Sequence, residues 1–197
     1  LERFDADGPT FRAPGFAVSG LELGLAGAHQ WQNAAVAVQA VATLLRADGG
    51  VTAEAVREGL LATRWPGRFD IREGQPTVVL DGAHNPAGAE VLARALEERF
   101  PGRPRHLILG VLADKDSEGM LDVLLPAVHS VRVVAPESGR ALSPEALVRA
   151  VAARGRSAKA FPDLDAALAD ARAQLERDEI LVIAGSLVLV GSAARRL

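Results

Sequence analysis

The sequence predicts an α/β protein built on a doubly wound, mostly parallel sheet, and three features carry that reading. From residue 77 onward the hydrophobic period switches regularly between strand and helix. The strand segments are continuous apolar runs, as strands buried on both faces require. Trp65-Pro66-Gly67 sets this half apart from a differently patterned first half, because Pro disfavours helix at the residue before it and Gly permits a turn. With 197 residues, 49% hydrophobic and 24% charged, the chain can build the core of one domain, or of one domain with part of another.

Taken in order, residues 1–28 hold short alternating stretches, Phe16-Ala17-Val18 and Leu21 to Leu25, punctuated by Gly and Pro. They read as edge-like strands without a sheet. An Ala/Val/Leu run from Gln30 to Arg46 is long enough for a helix ending at Asp48-Gly49-Gly50. Thr52 caps a second helix with Val56, Leu60 and Leu61 on one side. Beyond the boundary, strands are predicted at Thr77–Leu80, His106–Val111, Val131–Ala135, Ala158–Phe161 and Ile180–Ala184. Helices lie between them: Pro86–Arg99 with Val91, Leu92, Ala95 and Leu96 on one face; Glu118–Leu125; Pro144–Ala153 after a Ser143 cap; and Leu164–Glu176. Five strands linked by right-handed crossovers make an open, Rossmann-like sheet.

Composition removes several function classes. Without cysteine there are no disulfides, thiolate metal sites or Cys nucleophiles, which suits a reducing, cytoplasmic setting. Net charge −3 and pI ≈ 5.8 leave no basic footprint for nucleic acid or an anionic membrane. The longest apolar stretch, Ile180 to Gly191, is too short to span a bilayer and is broken by Ser186. The chain starts Leu1-Glu2-Arg3 with no charged-then-apolar leader, so the start reads as internal and the chain as a piece of something longer.

Ligands of open α/β sheets collect outside the carboxyl ends of the strands. Three such turns are polar: Asp81-Gly82-Ala83-His84-Asn85-Pro86, Ala113-Asp114-Lys115-Asp116, and Gly185-Ser186. Helix N-termini there suit anions, and Asp81 suits sugar hydroxyls. Each motif has a plain structural reading as well. Asp-Gly and Asn-Pro are ordinary turn chemistry, His84 can cap or pack, Asp114 to Asp116 can be a solvated loop, and Gly185-Ser186 can be a helix cap. Asn33 is a poor helix former inside an Ala/Val run and calls for a partner or a solvated face. Arg68 is either a surface charge or a planar fork for phosphate at the hinge between domains.

Trp65-Pro66-Gly67-Arg68-Phe69, Asp81 to Pro86, Gly110 to Asp116 and Ala184-Gly185-Ser186-Leu187 together closely resemble the C-terminal part of bacterial folylpolyglutamate synthase/dihydrofolate synthase, within the Mur ligase superfamily. His29-Gln30-Trp31-Gln32-Asn33-Ala34-Ala35 resembles the helix near the end of that family's central ATPase domain. The resemblance runs from about Gly27 to Arg195. It implies a remnant of the central domain over 1–64 and a C-terminal domain over 65–197. It also implies an ATP-dependent amide ligase that phosphorylates a folate or pteroate carboxylate and lets glutamate attack the acyl phosphate. Carried over by position, Asn33, Arg68 and Asp81 contact ATP, while His84 and Ser186 lie on the glutamate side with His84 catalytic; Lys115 is an electrostatic helper.

With only Lys115 and Lys159, no Gly-Lys-Ser/Thr phosphate loop can exist here. The family's magnesium ligands and carbamylated lysine also fall outside the chain, so this polypeptide is expected to be inactive alone. The expected partners are small molecules (ATP, glutamate, folate or dihydropteroate), with neither nucleic acid nor membrane. The intact enzyme is expected to be a monomer, and the fragment to be disordered over residues 1–28 or to self-associate through them, with apolar surface uncovered on residues 1–62. Replacing Arg68 or Asp81 is expected to lower turnover with little loss of stability. Two alternatives stand beside this reading: another Mur-type peptide ligase, against which the Trp65 to Phe69 segment argues, and a free-standing nucleotide-binding regulatory module.

Overall fold

The computed structural model describes all residues except 1–3, 6, 7, 14, 15, 26 and 45–49. It divides into two compact units, Leu1–Trp65 and Pro66–Leu197.

In the first unit, β1 (Phe4–Asp5) pairs antiparallel with β2 (Gly8–Pro9), and β3 (Phe11–Ala13) with β4 (Phe16–Val18). The Phe16 to Val18 segment therefore has a partner strand within its own chain. Leu21 to Leu25 is not a strand. Its amides are taken irregularly, Leu21 N–H by the Pro9 carbonyl (3.2 Å) and Gly24 N–H by that of Leu60 (3.0 Å). Helices α1 (His29–Leu44) and α2 (Ala53–Ala62, capped by Thr52) follow. Of the stop expected at Asp48-Gly49-Gly50, Asp48 and Gly49 lie outside the described residues, and Gly50 has the positive φ (77°) that suits a turn.

Phe11, Val18, Leu21, Val38 and Val56 form this unit's core, flanked by Trp31 and Leu60. Leu61 is exposed, not on the Val56 side, because it lies five residues from Val56, off the i, i+4 line that Leu60 occupies. Val36, Val41 and Leu44 are exposed as well. No helix among the described residues is long and apolar enough to cross a membrane.

The second unit holds one six-stranded sheet. β5 (Asp70–Arg72) runs antiparallel beside β6 (Thr77–Leu80). Then β10 (Ile180–Ala184), β7 (Arg105–Leu109), β8 (Ser130–Val133) and β9 (Ala158–Ala160) follow in that spatial order, all parallel to β6. The helices are α3 (Pro86–Arg99), α4 (Ser117–Ala127), α5 (Pro144–Ala152), α6 (Leu164–Gln174) and α7 (Leu187–Ala194). The five parallel strands are those the sequence predicts, while their spatial order, with β10 between β6 and β7, is read only from the structure. β5 is the addition: three residues, two of them charged, carry no strand pattern, and the segment becomes a strand only by bonding to the β6 edge.

The strands alternate their faces. Val78, Leu80, Ile108, Leu181 and Ile183 face α6 and α7, where they pack on Leu164, Leu168, Ala171, Leu189 and Val190. Their alternates Val79, Leu107, Leu109, Val131, Val133 and Val182, all nearly fully buried, face the other side. There α3 packs on α4 and α4 on α5. Because α7 leaves β10 on one face while the helices after β6 and β7 leave on the other, the chain diverges on both sides of the β10 end, the place where such sheets open a crevice.

The amino ends of the strands carry a buried polar cluster. Arg132 is inside the fold with Asp170, its Nε 2.8 Å from Oδ2, and Lys159 also pairs with Asp170. His106 Nδ1 is 2.8 Å from Ser130 Oγ, while its Nε2 lies 3.3 Å from Glu179 without making a hydrogen bond. Burial holds the imidazole below its ordinary value; Glu179 opposes this, and Arg132 and His129 add to it. Between the folded value and about 6.5 the unfolded chain then binds more protons than the folded one. This part of the stability is complete above about pH 6.5 and is lost as pH falls through the folded value. Thermal melts from pH 8 to 5 are expected to show a drop in Tm that His106→Gln flattens; parallel curves for the two proteins would overturn it.

Candidate functional site

Short backbone bonds knit the carboxyl ends of the three central strands together. Asp81 N–H donates to the Ile183 carbonyl (3.0 Å), Gly185 N–H to that of Ala83 (3.0 Å) and Gly110 N–H to that of Ala184 (3.2 Å). Asp81 sits where β6 ends, and its carboxylate spans a corner: Oδ2 accepts from Phe69 N–H and Oδ1 from Ala83 N–H, each at 2.8 Å. Gly82 N–H returns a bond of 2.7 Å to the Gly67 carbonyl. The Pro66 to Phe69 turn is thereby tied to the end of β6, with exposed Arg68 one residue before the amide that Asp81 holds. A β-carbon on Gly82 would meet the tip of the exposed Leu187 side chain at the start of α7. Phe69 has φ 44°, a left-handed conformation costly for a bulky residue. Burial of its ring beside Phe100 (centroids 6.4 Å apart) and the Asp81 bond hold it there.

His84 lies in the same turn. Its Nδ1 is 2.8 Å from the Gly82 carbonyl, and a carbonyl only accepts, so Nδ1 carries the proton. The neutral ring therefore offers a lone pair at Nε2 and donates from there only when protonated. Asn85 caps α3, accepting from Gly88 N–H at 2.7 Å, with Pro86 in the first turn. Ser186 is 2% exposed and caps α7, accepting from Leu189 N–H at 3.1 Å. Its acceptor is used within the fold and its O–H remains a donor. Asn33, in the first unit, gives its amide to Gln30 Oε1 at 3.0 Å, which is the partner its place in an apolar helix calls for.

The loop after β7 is more than a solvated run. Asp116 caps α4 through Gly119 N–H (2.9 Å), and Gly119 packs so closely on Pro86 that a β-carbon would come within 2.7 Å of it. The starts of α3 and α4 are thus side by side. Lys115 and Arg140 flank Asp114 at 3.2 and 3.6 Å, and the hydrogen bond from Lys115 holds the Asp114 carboxyl below its ordinary value. Among the described residues no group of three or more His, Asp or Glu could hold a metal ion.

A family model described as the Mur ligase glutamate ligase domain matches residues 67–187. The chain belongs to the Mur ligase family. Folylpolyglutamate synthase of Lacticaseibacillus casei is 37% identical over 183 residues, covering 91% of this chain and 41% of that protein. Folylpolyglutamate synthase of Mycobacterium tuberculosis, solved with ADP and AMPPCP, superimposes with TM-score 0.79 at 37% identity over 92% of this chain and 43% of that one. A bifunctional folylpolyglutamate synthase/dihydrofolate synthase with Mn, AMPPNP and L-glutamate bound gives 0.81 at 28% identity, over 98% and 46%. The chain thus spans less than half the length of these relatives.

Within this Mur ligase chain the second unit brings the turn carrying Arg68 to Asp81 and His84, and knits the ends of β6, β10 and β7 beside Ser186. The sequence passes over the loop after β8. Residues 134–143 stand at a strand end like the other three turns, and the same rule selects them, but Ser, Gly and Pro there give the pattern of a plain connection.

Proposed function

We propose that this chain is the glutamate-side part of an ATP-dependent carboxylate–amine ligase, which joins glutamate to folate or dihydropteroate through an acyl phosphate in the cytoplasm. Residues 1–64 are read as the end of the central ATPase domain and 65–197 as the C-terminal domain. The observation that carries the reading is the corner at Asp81: one carboxylate fixes the Arg68 turn beside the strand-end crevice that also holds His84. ATP supplies the phosphoryl group that activates the acceptor carboxylate. A carboxylate has about four acceptor positions, so Asp81 can hold the corner and still accept from a ribose hydroxyl. Arg68 is a permanently charged fork for phosphate oxygens, and Asn33 is assigned to the nucleotide from the other unit. Magnesium is assigned to ligands beyond this chain.

Glutamate arrives as an ammonium and must lose a proton before its nitrogen can attack. Nε2 of neutral His84, with Nδ1–H anchored on Gly82, is a fixed acceptor for that proton. Ser186 O–H and the start of α7 suit the carboxylate side. In a coupled assay of ADP release, the polypeptide as the cell makes it is expected to turn over only with Mg-ATP, glutamate and a folate or dihydropteroate together. The 197-residue chain alone is expected to give none. His84→Gln is expected to lower kcat by about 100-fold or more with Tm unchanged. ADP release with a peptidoglycan-type acceptor, or unaltered kcat in His84→Gln, would overturn the assignment.

A further inference from the structure

We propose, resting on the ligase reading above, that Phe69 is the positioning residue of Arg68: its left-handed backbone and buried ring turn residue 68 outwards and fix the line along which the guanidinium reaches phosphate.

Position 68 is held on both sides through the backbone of its neighbours. The peptide group before it is pinned at the Gly67 carbonyl, which accepts from Gly82 N–H at 2.7 Å. The peptide group after it is pinned at Phe69 N–H, which donates to Asp81 Oδ2 at 2.8 Å. Both peptide groups are planar and stiff, so the Cα of Arg68 goes where Gly67 and Phe69 place it. Those two residues have φ of 78° and 44°. At position 67 the left-handed conformation comes with a bare Cα, and a β-carbon there would stand 2.7 Å from Val190 Cγ1 on α7. Position 69 takes the same region with a phenyl ring, against the preference of a bulky residue.

Glycine or asparagine would make this bend with less strain, so the turn by itself gives no reason for phenylalanine. The ring does. It is 6% exposed and packs beside Phe100, itself 5% exposed, at the end of α3. Burying an aromatic ring outweighs the strain of one left-handed residue, and the ring anchors the turn at a point the two hydrogen bonds do not reach. Strain of this kind persists only where the surroundings over-determine it, and it collects where geometry matters to function. A guanidinium that stabilises charge during phosphoryl transfer must already be in place, since a misplacement of about 1 Å costs on the order of 100-fold in rate. A long, many-rotamer side chain does not supply such precision alone. It comes from where the side chain starts.

The test is a double-substitution cycle on the polypeptide as the cell makes it, with Mg-ATP, glutamate and a folate or dihydropteroate, at a temperature where every variant is folded. Phe69→Gly permits the bend and removes the ring. It is expected to lower kcat about 10- to 100-fold, with the KM of glutamate and of the folate within twofold. In an Arg68→Ala background the same substitution should lower kcat by less than twofold, because the group it positions is gone. Phe69→Leu keeps apolar bulk and should give a smaller loss that again vanishes without Arg68; it decides the matter where Phe69→Gly does not fold. Equal losses in the two backgrounds, or a lower Tm at wild-type kcat, make Phe69 a core residue only and overturn the proposal while leaving the ligase reading intact. Wild-type protein that releases no ADP overturns the ligase reading and the positioning role with it.

Discussion

Gly185→Ala is expected to destabilise the second unit by about 3 to 5 kcal/mol and to leave little folded protein at 37 °C. Gly185 has φ +110°, a conformation closed to residues with a side chain. A β-carbon there would stand 2.6 Å from the Gly110 carbonyl oxygen and 2.9 Å from Leu109 Cδ1. Neither can give way. The Gly110 backbone is pinned through its N–H to Ala184, and Leu109 is fully buried in β7. The residue after the central strand must therefore bend sharply with no side chain, so that its own N–H can reach the Ala83 carbonyl and Ser186 can start α7. Against a stability of roughly 5 to 15 kcal/mol for a domain, the loss is large. Urea unfolding of the two proteins measures it; a midpoint within 0.3 M of wild type would show that the corner relaxes more easily than this packing allows.

That corner also shows which parts of the molecule are legible from sequence. Ile180–Ala184 reads as a buried strand because five consecutive apolar residues cannot face water on either side, and Pro86–Arg99 reads as a helix because Asn-Pro sets its start. That these strands run parallel follows from the alternation of such segments. Contacts between segments are less legible. Nothing in Asp70-Ile71-Arg72 reads as a strand until β6 offers an edge, and the alternating leucines at 21, 23 and 25 promise a strand that the Pro9 and Leu60 carbonyls prevent. Phe16 to Val18 has strand pattern but no visible partner in sequence, and it finds one five residues upstream. At the site, Asp81 and His84 stand out as residue types in a turn. Which hydrogens they hold is fixed by backbone groups that carry no sequence signature: Phe69 N–H, Ala83 N–H and the Gly82 carbonyl. The loop after β8 escapes notice for the same reason, since backbone pairing with residues 111–113 is what brings Arg140 beside Asp114.

Asp81→Ala and Arg68→Ala are expected to part company in stability while both lower turnover. On sequence grounds the two residues look alike, ligand-facing side chains whose loss the fold should ignore. For Asp81 the two bonds to Phe69 N–H and Ala83 N–H overturn that expectation. Alanine removes both acceptors, leaves two half-buried amides unpaired, and releases Phe69 from a left-handed conformation that is unfavourable without support. Hydrogen bonds to a charged group contribute about 1.5 to 3 kcal/mol each when buried. Partial exposure reduces this, so a loss of about 2 to 4 kcal/mol and a Tm lower by roughly 10 °C are expected. Asn at 81 should fall between, because one amide oxygen can still accept while the NH2 cannot. Arg68→Ala leaves both bonds in place, since the turn is held through the amide of the next residue. It should melt within about 2 °C of wild type and, in the ligase reading, lose turnover by 100-fold or more through loss of phosphate stabilisation. Calorimetry and steady-state rates on the same preparations decide the matter: equal melting of Asp81→Ala and wild type would show that the corner does not depend on the carboxylate, and normal turnover in Arg68→Ala would remove the guanidinium from the reaction.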